Sequence, residues 1–503
     1  MAYARPGVYI SERLLPATIP AGVTANAAGA VVAAFAQGPE AVTLVTSWYE
    51  FTKYFGGYNA SYPATFQVGS FFQNGGRELY VKRILASNAV KADIDFVDSG
   101  SAAQVNVEAK NAGTDGNKLR AVLSAGQVSG TYTLTLYKES GVANDVTDDI
   151  LLERYENIVF DDSTSSDYGP TVINIVSPNI TVTVDSGYSG QSLTSATYPL
   201  TGGSNGTAVA ATDYTNYKAG GASVFEGFSS FDRPMIVFLP DVNALASGVV
   251  SVFDAATSWA EDNNGFVVID TDPNLTVANA ISFAASLADT SNAAVYYPNV
   301  FVADPLGRGA GALRKVGPSG GVVGLYLATD AARGVFKAPA GIAANLQGIV
   351  AVEKSFTSSE LDSMNASTSP VNPIRQIPGA GLAVMGARTL KQDGTANKYV
   401  NMRRSLIYIR KNLKNLTEFA IFENNDERLW AQIRTALGVF LNEYRNQGGL
   451  RGASPAQAFF IKCDAENNTA QQIANGEVHI QVGVALQYPA EFIVIDLSQK
   501  TLN

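Results

Sequence analysis

The chain has 503 residues, of which 46% are hydrophobic and 16% charged, and a formal net charge of −10. It is too long for a single core and too apolar for a disordered chain, so roughly two to four domains are expected, with large buried contacts between subunits. One cysteine, Cys463, excludes an internal disulfide; one histidine, His479, excludes multi-histidine metal centres; and no apolar run approaches the about 18 residues of a membrane-spanning helix.

In chain order, residues 1–20 hold a short strand-like run, Gly7-Val8-Tyr9-Ile10, fenced by Pro6, Pro16 and Pro20. Its backbone groups need a partner that the neighbouring sequence does not offer, and an extended arm of this length reaches roughly 60 Å. The partner is therefore either another subunit or the edge of the arm's own domain. The apolar run from Ala27 to Ala36 has the outline of a signal-peptide core, but Glu12, Pro16, Pro20, Thr24 and Asn26 crowd its approach, and secretion by that route is not expected.

Residues 21–90 read as the first part of an α/β domain. A buried strand over 30–35 is followed by a helix capped by Ser47 and stopped at Gly56-Gly57, a second helix over 64–73, and a strand over 78–84. Residues 91–204 change vocabulary to Thr, Val, Ser, Asp and Gly in alternating runs, Gln104 to Ala109 and Thr131 to Tyr137 among them, which predicts a β-sandwich insertion. Residues 205–370 return to α/β, with buried strands at 235–239 and 266–270 and helices near 249–262 and 276–288.

The remainder, 371–488 with a tail over 489–503, is predicted to be an α+β domain. From Ile374 onward there are 15 Lys and Arg against 11 Asp and Glu, whereas the preceding 373 residues hold 20 against 34. Such asymmetry points to two faces with different partners. Strand-like segments over 381–385 and 401–410 precede the clearest helix, Glu427 to Asn446, with Trp430, Ile433, Leu437, Phe440, Leu441 and Tyr444 on one face. Ile480 to Tyr488 alternates as a strand, Pro489 breaks it, and Phe492-Ile493-Val494-Ile495 begins a last strand that can pair elsewhere.

The candidate chemistry is thin. Gly317-Pro318-Ser319-Gly320-Gly321 has the letters of a nucleophile elbow, and Asp330 and His479 would complete a Ser-Asp-His order for a serine hydrolase. The preceding Leu313-Arg314-Lys315-Val316 is charged where the elbow needs a buried strand, so a Gly/Pro loop opening a helix is the plainer reading. The acid groups Asp145, Asp148, Asp149 and Asp161, Asp162 read as solvated loop charges rather than a cation site. Arg375 to Lys414 holds nine basic residues and one acid, Asp393. Nucleic acid is one partner for such a stretch and local pairing to Glu418, Glu423, Asp426 and Glu427 another, but an acidic protein surface suits the overall acidity of the chain better.

An ordered set of segments resembles the contractile tail sheath protein family of bacteriophages and related injection systems. These are Arg5-Pro6-Gly7-Val8-Tyr9-Ile10-Ser11-Glu12, Tyr296-Tyr297-Pro298, the run from Gly317 to Gly320, and the run from Asp330 to Gly341. Asn372-Pro373-Ile374-Arg375, Gly386 to Leu390, Tyr399 to Arg404 and Phe422-Glu423-Asn424-Asn425 complete it. Gly317 stands where the family usually has a second proline, and Leu327 where a basic residue is common. The resemblance implies a subtilisin-like α/β domain with a β-sandwich insertion and an α+β C-terminal domain. It also implies arms that exchange strands between subunits, Gly7, Val8, Tyr9 and Ile10 in one and Phe492, Ile493, Val494 and Ile495 in the other.

The implied function is structural, without catalytic residues or cofactors. Such subunits form a homo-oligomer of hexameric rings stacked helically around an inner tail tube protein, bounded by baseplate and tail terminator proteins, and contract to drive the tube through a cell envelope. Direct contact with nucleic acid or membrane is not implied, and the place of the protein is a virion tail assembled in the host cytoplasm. Arg403, Arg404, Lys411 and Lys414 are the candidates to face the tube.

Overall fold

The computed structural model describes residues 27–491 except 141–147, 217–219, 310, 392 and 394. The arm residues Gly7, Val8, Tyr9, Ile10 and Phe492, Ile493, Val494, Ile495 lie outside the described residues. Two compact units divide the rest: Ala27–Arg404 with residues 489–491, and Ser405–Tyr488.

The first unit is built on an eight-stranded sheet. From edge to edge its strands are Gly381–Val384, Val371–Ile377, Ala293–Tyr297, Phe266–Asp270, Met235–Phe238, Ala28–Ala33, Leu79–Arg83 and Thr43–Val45. The six inner strands run parallel and both edge strands antiparallel. The inner strands are apolar on both faces because both are covered. Val237, Val267, Ile269 and Val295 enter one core with Val252, Phe253 and Ala256 of the helix Val249–Asp262 and Ala280 of the helix Val277–Ser286. Their neighbours Ile236, Phe238, Val268 and Tyr296 enter the opposite core. There they meet Phe51 and Phe55 of Trp48–Phe55, Val68 and Phe71 of Ala64–Gln73, and Val322 and Tyr326 of Ser319–Arg333.

The β-sandwich interrupts this plan between the Leu79–Arg83 and Met235–Phe238 strands. A four-stranded sheet, Ala196–Pro199, Leu119–Ala125, Tyr132–Lys138 and Ile150–Ile158, faces a three-stranded one, Asp93–Val97, Ala103–Ala109 and Ile180–Val184. Alternate residues of both, Val105, Val107, Val182, Ala121, Leu123, Leu134 and Leu136, fill one core. The chain enters and leaves through a paired stem, with the amide of Val90 2.9 Å from the Ser204 carbonyl and that of Ser204 2.9 Å from the Val90 carbonyl. Buried Arg83 fastens the seat. Its guanidinium donates to the Phe35 and Gly38 carbonyls of the α/β body at 3.1 and 2.9 Å, and to the Ala112 carbonyl of the insertion at 3.0 Å.

Two expectations are corrected. Residues 371–404, read with the C-terminal block, belong to the large sheet and its surroundings. The strand-like 401–410 is helical, within Val400–Thr417. Ile407 and Ile409 imitate a two-residue period, but the straight-chain Met402, Arg403, Arg404, Leu406, Arg410 and Lys411 around them favour helix.

The second unit packs the helix Glu427–Asn446 on a two-stranded antiparallel sheet, Phe459–Lys462 with Gln481–Val484. Asp426 caps the helix by accepting from the amides of Arg428 and Leu429, each at 3.0 Å. Leu429, Ile433 and Leu437 form the core with Leu413, Leu416, Ile461, Ile480 and Val482. Of the alternating run 480–488, only Gln481–Val484 is strand, and Leu486 bridges to Leu450.

Candidate functional site

Open α/β sheets bind ligands at the carboxyl ends of their strands, where the strand order reverses. Here the reversal lies at Ala28–Ala33, between Leu79–Arg83 and Met235–Phe238. The protein's own side chains occupy the position. Asp241, just after the Met235–Phe238 strand, accepts the Ala34 amide at 2.9 Å, and burial pushes its carboxyl up to about 6. Asp270, the last residue of the next strand, is likewise pushed up to about 6 by burial, against the hydrogen bonds it receives from Ser319.

Ser319 opens the helix Ser319–Arg333 as the loop reading expects, and it is fully buried. Its amide donates to Asp270 Oδ1 at 2.7 Å, and its Oγ lies 2.7 Å from Asp270 Oδ2 and 2.8 Å from Gln67 Oε1. A carboxylate thus neutralises the positive end of a buried helix. The candidate triad partners are held elsewhere: Asp330 by Arg404, and His479 by Glu477 at 2.8 Å on the surface of the other unit. Ser319 is a helix anchor rather than a nucleophile. A Cβ at Gly317 would stand 2.1 Å from Asp270 Oδ2, so the glycine found where the family usually has proline makes room for this carboxylate.

The remaining motif residues of this unit converge on the root of the helix Val400–Thr417. Arg404 and Asp330 form a two-pronged ion pair, with Nη1 to Oδ1 at 3.0 Å and Nη2 against Oδ2. The guanidinium carbon lies 4.8 Å from the Tyr326 ring centroid, and the Tyr326 hydroxyl meets that of Tyr296. Burial raises the Asp330 carboxyl and Arg404 pulls it back down. Asn401 donates to the Phe336 carbonyl at 2.9 Å. Asn372 donates to the Val295 and Arg388 carbonyls at 3.0 and 2.8 Å and accepts the Arg388 amide at 2.8 Å. Arg388 in turn grips Glu491 with two bonds of 2.9 and 2.7 Å, just before the terminal tail. Residues distant in sequence are therefore joined as one clamp.

The four basic candidates do not share one surface. Arg404 and Lys411 are buried, Arg403 is half-buried, and Lys414 alone of the four is exposed. Sequence reasoning missed Asp241 and Asp270; the available signal was an acid at or just beyond the end of an otherwise apolar strand. Among the described residues no group of three or more His, Cys, Asp or Glu could hold a metal, and no helix is long and apolar enough to cross a membrane. Asp149, read as a loop charge, pairs with buried Arg120 at 3.0 Å.

Comparison with known proteins agrees with this picture. Residues 392–500 match the phage tail sheath C-terminal domain family. A tail sheath protein of Vibrio phage KVP40 is 23% identical over 184 residues, which are 36% of this chain and 26% of that relative. The matched segment thus spans about a quarter of the relative's length. In fold, the chain is similar to the helical sheath of the anti-feeding prophage in its contracted state, with a TM-score of 0.56 and 20% identity over 99% of this chain and 100% of that one. It is also similar to a sheath tail protein from Listeria innocua, with a TM-score of 0.61 and 14% identity over 93% and 98% of the two chains. The chain thus shares its fold with solved sheath proteins, and its residues 392–500 match the phage tail sheath C-terminal domain family.

Proposed function

We propose that this chain is the structural subunit of a contractile sheath, polymerising around an inner tube and contracting to drive that tube through a cell envelope. The observation that carries the reading is the tail sheath C-terminal domain match over residues 392–500, the part that contains the two-stranded sheet. Two strands alone make a marginal sheet in water, and the edges of such a sheet are where added strands pair. The arms at Gly7, Val8, Tyr9, Ile10 and at Phe492, Ile493, Val494, Ile495 are the strands assigned to neighbouring subunits, so that main-chain hydrogen bonds link the lattice while domains move as rigid bodies.

On this reading the α/β domain is the subtilisin-like domain of the family, without a triad. The partners are further copies in stacked six-fold rings, the inner tube protein, and the baseplate and terminator proteins at the ends of a virion tail assembled in the host cytoplasm. The test is electron microscopy of the purified chain with and without residues 1–12. Helical tubes are expected from the full chain, and folded subunits without tubes from the truncation. Tubes of normal length from the truncated chain would remove the arm assignment, and their absence from the full chain would remove the sheath reading.

A further inference from the structure

Phe422 is the most exposed large apolar side chain of the described residues, at 103% of the extended-chain reference, and its neighbour Ile421 is 65% exposed. Its backbone φ of +67° is a conformation that a bulky side chain rarely adopts. The loop is nevertheless fixed. The amides of Ile421 and Glu423 donate to the carbonyls of Glu418 and Ala420 at 3.2 and 3.3 Å. Asn425 accepts from Trp430 Nε1 and donates to the Glu477 carbonyl, both at 2.8 Å. A strained, well-anchored backbone here holds an aromatic ring out into solvent, where it contributes nothing to the core of its own chain.

The loop that carries the ring is acidic up to exposed Arg428, which lies in the first turn of the following helix. Glu418, Glu423, Asp426 and Glu427 are all exposed, and no Lys or Arg lies between Lys414 and Arg428. At the far end of the helix Glu427–Asn446, about 30 Å away at 1.5 Å per residue, the signs reverse. Arg445 and exposed Arg451 are there, and no acid lies between Tyr444 and Cys463. The unit therefore carries an aromatic knob on an acidic loop at one end and, beyond exposed Glu443, an arginine loop without acids at the other. An aromatic face bordered by carboxylates suits a guanidinium, through both ion pairing and attraction to the ring.

We infer that the Phe422 loop of one subunit docks head-to-tail on the Arg451 loop, residues 445–453, of a second copy of this chain. Such a heterologous contact repeats from copy to copy, closing into a ring or running on as a helical filament according to its rotation, and so propagates an assembly. The inference rests on the sheath reading and adds to it a side-chain contact distinct from the terminal arms.

Phe422→Gly separates a docking role from a folding one, because glycine accepts the positive φ without strain. Its thermal midpoint is expected to equal or exceed that of the natural chain, while the concentration needed for tube formation rises at least about tenfold, as for loss of an aromatic hot spot. Glu423→Arg and Arg451→Glu should each impair assembly, and the two together should restore it. With p-benzoylphenylalanine in place of Phe422, illumination of assembled tubes should link it to residues 445–453 of another copy, distinguished by mixing isotopically labelled and unlabelled chains. Tubes from Phe422→Gly at the ordinary concentration would overturn the inference. So would crosslinks confined to one chain, to another part of the partner copy or to a different protein, all of which leave the sheath reading standing. Failure of the natural chain to form tubes would remove both.

Discussion

Arg404 and Asp330 show how much of this fold depends on a single buried charge pair. Removing one partner leaves the other charge in a low-dielectric setting, which costs far more than the pair contributes when intact. Arg404→Met is therefore expected to lower unfolding stability by about 3–5 kcal/mol, with part of the loss recovered by adding Asp330→Asn; urea denaturation of the four chains checks it. Asp270 supplies a second residue-level prediction, with a definite sign. Its folded carboxyl titrates at about 6, above the ordinary 3.8, so the stability tied to it is complete below 3.8 and is lost as pH rises through about 6. Lowering the pH from 7 to 5 should stabilise the chain by about 1 kcal/mol through this group alone, and Asp270→Asn should remove that increment from the measured pH profile. None of this was visible in the sequence, where Asp270 is one acid after an apolar run and Asp330 and Arg404 stand 74 positions apart. Only folding determines which acids become partners.

At the scale of elements, local pattern and tertiary packing contribute differently. The helix Glu427–Asn446 was legible to its end residues, since its apolar period, acidic start and Gly448-Gly449 stop agree with one another. The helix Val400–Thr417 was not, because burial by neighbouring elements placed Arg404, Ser405, Lys411 and Asn412 inside, which erased the polar stripe that normally reveals the period. The sandwich was legible as a change of vocabulary, but its seat on Arg83 and the Val90–Ser204 stem was not, since both depend on backbone carbonyls with no sequence signature. The stem carries a prediction. Replacing residues 91–203 with a two-residue Asn-Gly turn should leave a chain that retains its helical circular dichroism and unfolds cooperatively, because the remaining ends are already hydrogen-bonded neighbours. Some stability should be lost, since Arg83 no longer meets the Ala112 carbonyl.

For the whole molecule, the charge asymmetry between the first 373 residues and the remainder separates into buried and exposed parts once the fold is known. Buried Arg404 and Lys411 cannot contribute a surface field in the way that Lys414 can. A tube contact through the basic block therefore predicts that Lys414→Glu weakens co-sedimentation with tube protein and reduces its salt sensitivity, whereas a contact lying elsewhere leaves both unchanged. The paired stem also has a genetic consequence. DNA inserted between the codons for Val90 and Ser204 can lengthen or replace a domain without shifting the register of any strand in the large sheet. One pair of backbone hydrogen bonds is thus a permissive junction, and a foreign domain placed there is expected to leave the large sheet folded as before.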